Sequence, residues 1–253
     1  MKKQRNIDWV ICAAGSGTRF KSKGIDLAKP NIVLRGKTFL ERSISCLDIL
    51  PGDQVIIITQ ETEQVDNTIE SIKQLIPWAT ISHIRINGLT RGQLDTFYKA
   101  KKYIRKDCSV AIWNCDTYFK SSTLSSHLRS QEFDGIVPCG EMPGDHWSFF
   151  TKDNKNIITE AKEKQRISPW ASVGFYLFTD ATTLLKQTKT ILDDEPIDNL
   201  KEHYVSSLYP SLIAKGQIFL NCPVELFMPF GTPEEVTKYW GITMQEFKGD
   251  NRL

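Results

Sequence analysis

Three short runs, Trp9-Val10-Ile11-Cys12, Val55-Ile56-Ile57-Ile58 and Val110-Ala111-Ile112-Trp113, constrain the fold of this chain most strongly. Each is apolar at every position, not at every second one. A strand with one wet face alternates; a strand covered on both faces need not. Segments of helical period separate the runs. Leu40, Ile44 and Leu47 follow a Thr38-Phe39-Leu40-Glu41 capping box, and Val65, Ile69, Ile72 and Ile76 fall on one helix face. Thr80 to Ile86 reads as another strand, and Leu94, Phe97, Lys101 and Ile104 as a helix opening near Gly92. This β-α-β-α-β-α-β order predicts an α/β fold with a doubly wound, mostly parallel mixed sheet of Rossmann-like type.

The second half is β-rich. Short strands are expected at Asp134 to Pro138, Trp147 to Phe150, Ile157 to Ala161, Ala171 to Phe178 and Val224 to Phe227. Helices are expected at Asp180 to about Thr188 and at Tyr204 to Lys215, with a polar loop from Thr188 to Glu202 between them. Thr232-Pro233-Glu234-Glu235 has the cap, proline and glutamate that start a last helix. No repeat or linker breaks the chain. One domain over 1–253 is expected, with halves of about 1–133 and about 134–253.

The first apolar run ends in a small-residue turn, Ala13-Ala14-Gly15-Ser16-Gly17-Thr18, followed by Arg19 and, ten positions later, Lys29-Pro30. A glycine-rich turn after a strand exposes backbone N–H groups with no Cβ in the way, which suits phosphate oxygens. Arg19 and Lys29 add fixed positive charge. The stretch reads as a triphosphate cradle. It is no Walker loop, because Gly-x-x-x-x-Gly-Lys-Ser/Thr is absent. It is no dinucleotide fingerprint either, because Phe20 stands where the third glycine should be. About twenty-five residues join Ala13 to the helix cap, far more than a usual β-to-α loop. A substrate-binding lid and a disordered segment both fit that length. Asp116 stands just past the third run, and ligands of open α/β sheets gather at the carboxyl ends of strands. Mg²⁺ takes one or two carboxylates and shares its remaining shell with phosphates and water.

A net charge of +2 asks for no polyanionic partner, so nucleic acid is not expected. No run approaches a membrane span, and the apolar stretch after the basic start is too short for a signal-peptide core. The six cysteines form no C-x-x-C pair and read as reduced thiols of a cytoplasmic protein. The four histidines have no metal-ligand spacing, and no serine lies in a Gly-x-Ser-x-Gly elbow.

The string AAGSGTRF followed by KP resembles the signature of the sugar-1-phosphate nucleotidyltransferases, Gly-x-Gly-Thr-Arg, a gap, then Pro-Lys-Pro. Asp116, Glu163-Lys164 and Gly231-Thr232-Pro233 match that family's later motifs in order, so the likeness runs from Trp9 to about Trp240. It is similar to the short single-domain members of bacterial capsule and surface-polysaccharide pathways. The resemblance implies a nucleotide-diphospho-sugar transferase fold and an Mg²⁺-dependent enzyme joining an NTP to a sugar 1-phosphate, with release of pyrophosphate. Its partners would be those two small molecules, and an oligomer is possible.

The same resemblance implies the site. Arg19, Lys29 and Lys164 would be catalytic, and Asp116 would hold the metal. Ala13, Ala14, Gly15, Ser16, Gly17, Thr18, Gly92, Gln93 and Asn114 would line the nucleotide. Glu163, Lys164, Gly174 and Trp147, with its neighbour His146, would line the acceptor. A glycine at 92 would let a planar base approach the backbone. The chain departs from the pattern at Ala28, a proline in the family, at the larger Gln93, and at Pro229, where a second metal aspartate is expected. Three readings stay open: one carboxylate suffices, another comes from Glu225 or Asp95, or metal binding is impaired. Two other readings stand beside the main one: a cytidylyltransferase acting on a non-sugar phosphomonoester, and a catalytically silent subunit that senses nucleotide. A glycosyltransferase would show Asp-x-Asp where Asn114-Cys115-Asp116 stands.

Overall fold

A computed structural model describes residues 5–194 and 200–251. The first half runs β1 (Ile7–Cys12), α1 (Thr18–Lys21), β2 (Val33–Leu34), β3 (Lys37–Thr38), α2 (Phe39–Ile44), β4 (Gln54–Gln60), α3 (Asp66–Leu75), β5 (Thr80–Ile86), α4 (Gln93–Tyr98) and β6 (Ser109–Asn114). β1 pairs in parallel with β4 and with β6, and β4 with β5. Trp9, Ile11, Val55, Ile57, Ala111 and Trp113 face one way and pack with Leu40, Ile44, Ile69 and Ile72 of α2 and α3. Val10, Ile56, Ile58, Val110 and Ile112 face the other way and pack with Leu94 and Phe97 of α4. Burial on both faces is why these runs are apolar throughout. From β1 the chain builds outward through β4 to β5, then crosses back to β6 on the other side of β1. That reversal leaves a crevice at the carboxyl ends of β1 and β6.

The remainder runs β7 (Thr117–Lys120), α5 (Leu124–His127), β8 (Gly135–Ile136), β9 (Cys139–Glu141), β10 (Ser148–Lys152), β11 (Ile158–Glu163), β12 (Trp170–Ser172), β13 (Tyr176–Phe178), α6 (Ala181–Asp193), α7 (Tyr209–Ala214), β14 (Phe219–Leu220), β15 (Leu226–Pro229), α8 (Pro233–Trp240) and α9 (Met244–Asp250). Among the described residues the large sheet has seven strands in the order β14-β8-β13-β6-β1-β4-β5. Strands from both halves therefore share one sheet. A four-stranded sheet, β11-β10-β12-β9, and the β15–β7 ribbon stand over the crevice end. Among the described residues no helix is long and apolar enough to cross a membrane, and all six cysteines are free.

Several sequence expectations are corrected here. The strand expected from Ala171 to Phe178 breaks at Gly174, whose φ of +86° turns the chain out of the small sheet (β12) and into the large one (β13). The helix expected to end near Thr188 continues to Asp193, because Gln187, Thr188 and Leu192 are buried against the body. The rest of the loop expected up to Glu202 includes residues 195–199, outside those described. The helix at Gly92 ends at Tyr98; Lys101 lies beyond it in a turn, and Ile104 follows that turn. Val205–Leu208 form a 3-10 turn ahead of α7. The helix from Thr232 is not the last, since α9 follows and the Asn251 side-chain amide beyond it accepts from Val33 N–H and donates to Val33 O.

The long connection after β1 is ordered, which corrects the disordered alternative. Phe20, Ile25, Ile32, Leu34 and Phe39 are buried with Phe230, Val236 and Phe247 in a core of their own. Phe20, the residue that breaks the dinucleotide pattern, sets its ring edge against Phe39 at 5.4 Å. This core ties the connection to α2, α8 and α9.

Candidate active site

The crevice opens into two adjoining cavities of about 470 and 380 Å³, with Arg19, Gln93, Asn114, Asp116, Glu202 and Gly231 on both walls. The turn after β1 borders the first. Ala13 N–H donates to Ile58 O at 2.9 Å, and buried Gln60 Nε2 donates to Ala14 O at 2.6 Å, so the turn's base is held by β4. Gly15 has nothing within 4 Å of where a Cβ would stand. Gly17 is left-handed at φ +63°, and this kink sets it against Lys29, whose Cβ would lie 3.6 Å from an added Cβ. Ser16, Thr18 and Arg19 are exposed to the same cavity.

Lys29 Nζ donates to Asp116 Oδ2 at 2.5 Å. Burial works against the ammonium most strongly, but the charge and hydrogen bond of Asp116, with Cys115 and Glu235 nearby, together outweigh it and keep its pKa above the ordinary lysine value. Lys29 therefore carries full charge near neutral pH. Asp116 sits between β6 and β7. The β15–β7 ribbon pairs Pro229 with Thr117, and Phe230 N–H donates to Asp116 O at 2.9 Å. Gly231 is thereby laid against the Asp116 carboxylate; a Cβ on it would stand 2.8 Å from Oδ2.

Neither carboxylate considered as a replacement for position 229 is near. Glu225 accepts from the Ser122 N–H and hydroxyl, and Asp95 pairs with Arg91 and Lys99. Glu235, which the sequence reading treated only as a helix cap, stands beside Asp116 instead. Its Oε2 accepts from Thr232 N–H at 2.9 Å, and burial, then the charge of Asp116, raise its pKa. Among the described residues no three His, Cys, Asp or Glu side chains gather into a metal cage. A carboxylate at the junction of two cavities fits a hard cation that shares its shell with phosphate oxygens.

The second cavity holds the acceptor-side residues. Glu163 ends β11, and its Oε2 accepts from the hydroxyls of Ser148 at 2.5 Å and Ser206 at 2.8 Å. Burial raises its pKa against those bonds. Lys164 follows in the left-handed region, φ +53°, which swings its ammonium onto the Tyr204 hydroxyl and over that ring. Trp147 lines the wall between His146 and Phe227, its Nε1 donating to Pro143 O at 2.9 Å. Gly174 packs on the Asn114 amide, leaving no space for a side chain. Gly92 lines the first cavity, but its bare face lies against the His203 backbone, 2.6 Å from an added Cβ to His203 O. Its lack of a side chain serves that packing. Gln93 Nε2 and Asn114 Oδ1 are buried at the cavity junction with no partner among the described residues. Ser148, Ser206 and Tyr204 were missed from the sequence, because isolated hydroxyls carry no pattern.

The doubly wound sheet with this crevice has the nucleotide-diphospho-sugar transferase fold. The chain belongs to the family of the MobA-like NTP transferase domain, which matches residues 9–174. It is 27% identical to a glucose-1-phosphate adenylyltransferase of Fusobacterium nucleatum, over 100% of this chain and 70% of that protein. In structure it resembles a nucleoside-diphosphate-sugar pyrophosphorylase from Vibrio cholerae, with a TM-score of 0.80 and 22% identity over 92% of this chain and 100% of the other. It also resembles the inositol-1-phosphate CTP transferase of T. maritima, with a TM-score of 0.72 and 14% identity over 100% of both chains. The likeness to these two solved structures shows the fold.

Proposed function

We propose that this nucleotidyltransferase joins an NTP to a small hydroxyl-bearing phosphate, a sugar 1-phosphate, in the cytoplasm, with Mg²⁺, to make an activated sugar for surface polysaccharide. The observation that carries this reading is the convergence of Arg19, Lys29 and Asp116 on the junction of two cavities, one edged by the glycine-rich turn and the other by Glu163 and Lys164. An acceptor phosphate oxygen forms a bond to the α-phosphorus. The bond from that phosphorus to the bridging oxygen breaks, and pyrophosphate leaves with the electron pair. No protein nucleophile is required; positioning and charge neutralisation suffice. Arg19 and Lys29 bind the triphosphate and stabilise the departing pyrophosphate. Lys164, braced by Tyr204, orients the acceptor phosphate, and Glu163 accepts hydrogen bonds from acceptor hydroxyls. Asp116 would hold Mg²⁺, which supplies neutralisation of phosphate charge when bound.

Pyrophosphate release measured with each of four NTPs against a panel of sugar 1-phosphates and non-sugar phosphomonoesters tests this. Turnover with a sugar 1-phosphate and its loss in Asp116→Asn are expected. Turnover confined to non-sugar phosphates would favour the cytidylyltransferase reading. No release with any pair would favour the silent sensor, for which Pro229 is the supporting feature.

A further inference from the structure

Pro229 removes one expected carboxylate from the metal site, yet a second carboxylate stands there. We infer that Glu235 is the second carboxylate that holds the divalent cation of the proposed transfer, reaching from the first turn of α8 into the place that Pro229 leaves empty of charge. This rests on the reading of Asp116 as the metal-holding residue.

A Cβ on Gly231 would stand 2.8 Å from Asp116 Oδ2 and 3.3 Å from Glu235 Oε2, so both carboxylates flank one point that only glycine leaves open. Both line the second cavity together with Pro229. Both side chains are mostly but not wholly buried, at 21% and 15% exposed, which suits exchange of an ion with solvent. The Thr232 N–H fixes Glu235 Oε2, and a carboxylate oxygen so held still has a lone pair to give. The other oxygen, Oε1, lies 3.8 Å from His146 Nε2, too far for a hydrogen bond. Charge points the same way. Asp116, Glu163, Glu202 and Glu235 around the second cavity stand against Arg19, Lys164 and the Lys29 paired with Asp116, so carboxylates outnumber cations beside the place where a triphosphate must sit. A divalent cation reverses that balance.

Helix capping alone does not account for this placement. Thr38 with Glu41 and Thr243 with Glu246 form the same capping box, and neither of those glutamates lines the two cavities. Glu235 is the capping glutamate that the β15–β7 ribbon delivers next to Asp116.

The test is Mn²⁺ binding to the full chain, followed by the EPR signal of free Mn²⁺, alone and with a saturating α,β-methylene NTP. Glu235→Gln keeps an oxygen for the Thr232 N–H, so its thermal midpoint should stay near that of the unmodified chain. Its Mn²⁺ affinity should fall by at least the roughly 10- to 100-fold that loss of an outer-shell partner costs. Adding Pro229→Asp to Glu235→Gln should restore binding by returning a carboxylate from the neighbouring strand end, and this also answers any loss due to misfolding. Unaltered Mn²⁺ affinity in Glu235→Gln would overturn the inference and leave Glu235 a helix cap. Unaltered affinity in Asp116→Asn would instead remove the metal reading on which it rests.

Discussion

Gly231→Ala separates the position of Asp116 from the integrity of the fold. The backbone at Gly231 is outside the left-handed region, so alanine fits its dihedral angles without strain. Reduced freedom of the unfolded chain favours the variant by roughly 0.4–1 kcal/mol. The added methyl meets Asp116 Oδ2 at 2.8 Å and Cγ at 3.3 Å, where ordinary contact begins at 3.4 Å. The carboxylate must therefore retreat by about 0.6 Å, and crowding offsets much of the entropic gain. A displacement near 1 Å at a reacting centre costs on the order of 100-fold in rate. We expect kcat to fall roughly 10- to 100-fold on that scale, with a thermal midpoint close to that of the unmodified chain. Steady-state pyrophosphate release and differential scanning calorimetry on the same preparation read both quantities. Unchanged turnover at an unchanged midpoint would show that the position of Asp116 does not matter to the chemistry.

Three further outcomes are expected. Gly15→Ala meets no neighbour in the free chain, so stability should hold, while KM for the NTP should rise if phosphate oxygens approach that backbone; an unchanged KM moves the triphosphate elsewhere. Arg19→Ala, at an exposed position, should weaken NTP binding by about 1.5–3 kcal/mol, read by calorimetric titration, and unaltered affinity would count against the cradle. Asp53 is buried beneath the sheet, where it accepts from Arg129, Ile7 N–H and Trp9 Nε1; burial pushes its pKa up, but these donors prevail and hold it below the ordinary 3.8. Its stabilisation is thus complete above pH 3.8 and fades as pH falls through the lower folded value. Asp53→Asn should cost about 3 kcal/mol at neutral pH and flatten the acid limb of the unfolding curve, which urea titrations at several pH values would reveal.

Much of this molecule was written in local pattern. Trp9 to Cys12, Val55 to Ile58 and Val110 to Trp113 named their own strands, because covering both faces of a sheet demands apolar residues at every position. The Thr38–Glu41 and Thr232–Glu235 boxes named helix starts, because capping bonds join residues three apart. Arg19, Lys29 and Asp116 were legible as candidates, since small turn residues and charges at strand ends have few other uses.

What tertiary structure alone decided involves contacts between distant segments. Continuation of α6 past Thr188 depends on a buried stripe in which polar Gln187 and Thr188 stand between Leu184 and Leu192, and those two polar positions interrupt the apolar periodicity. Gly174 divides what reads as one strand, since the two sheets it serves are defined only by their partners. Glu235 is the clearest case. Its neighbours in sequence make it a cap, and only the pairing of β15 with β7 brings it to Asp116. Short-range hydrogen bonds and side-chain period are encoded within a few residues, whereas the meeting of two carboxylates 119 positions apart exists only once the sheet has closed.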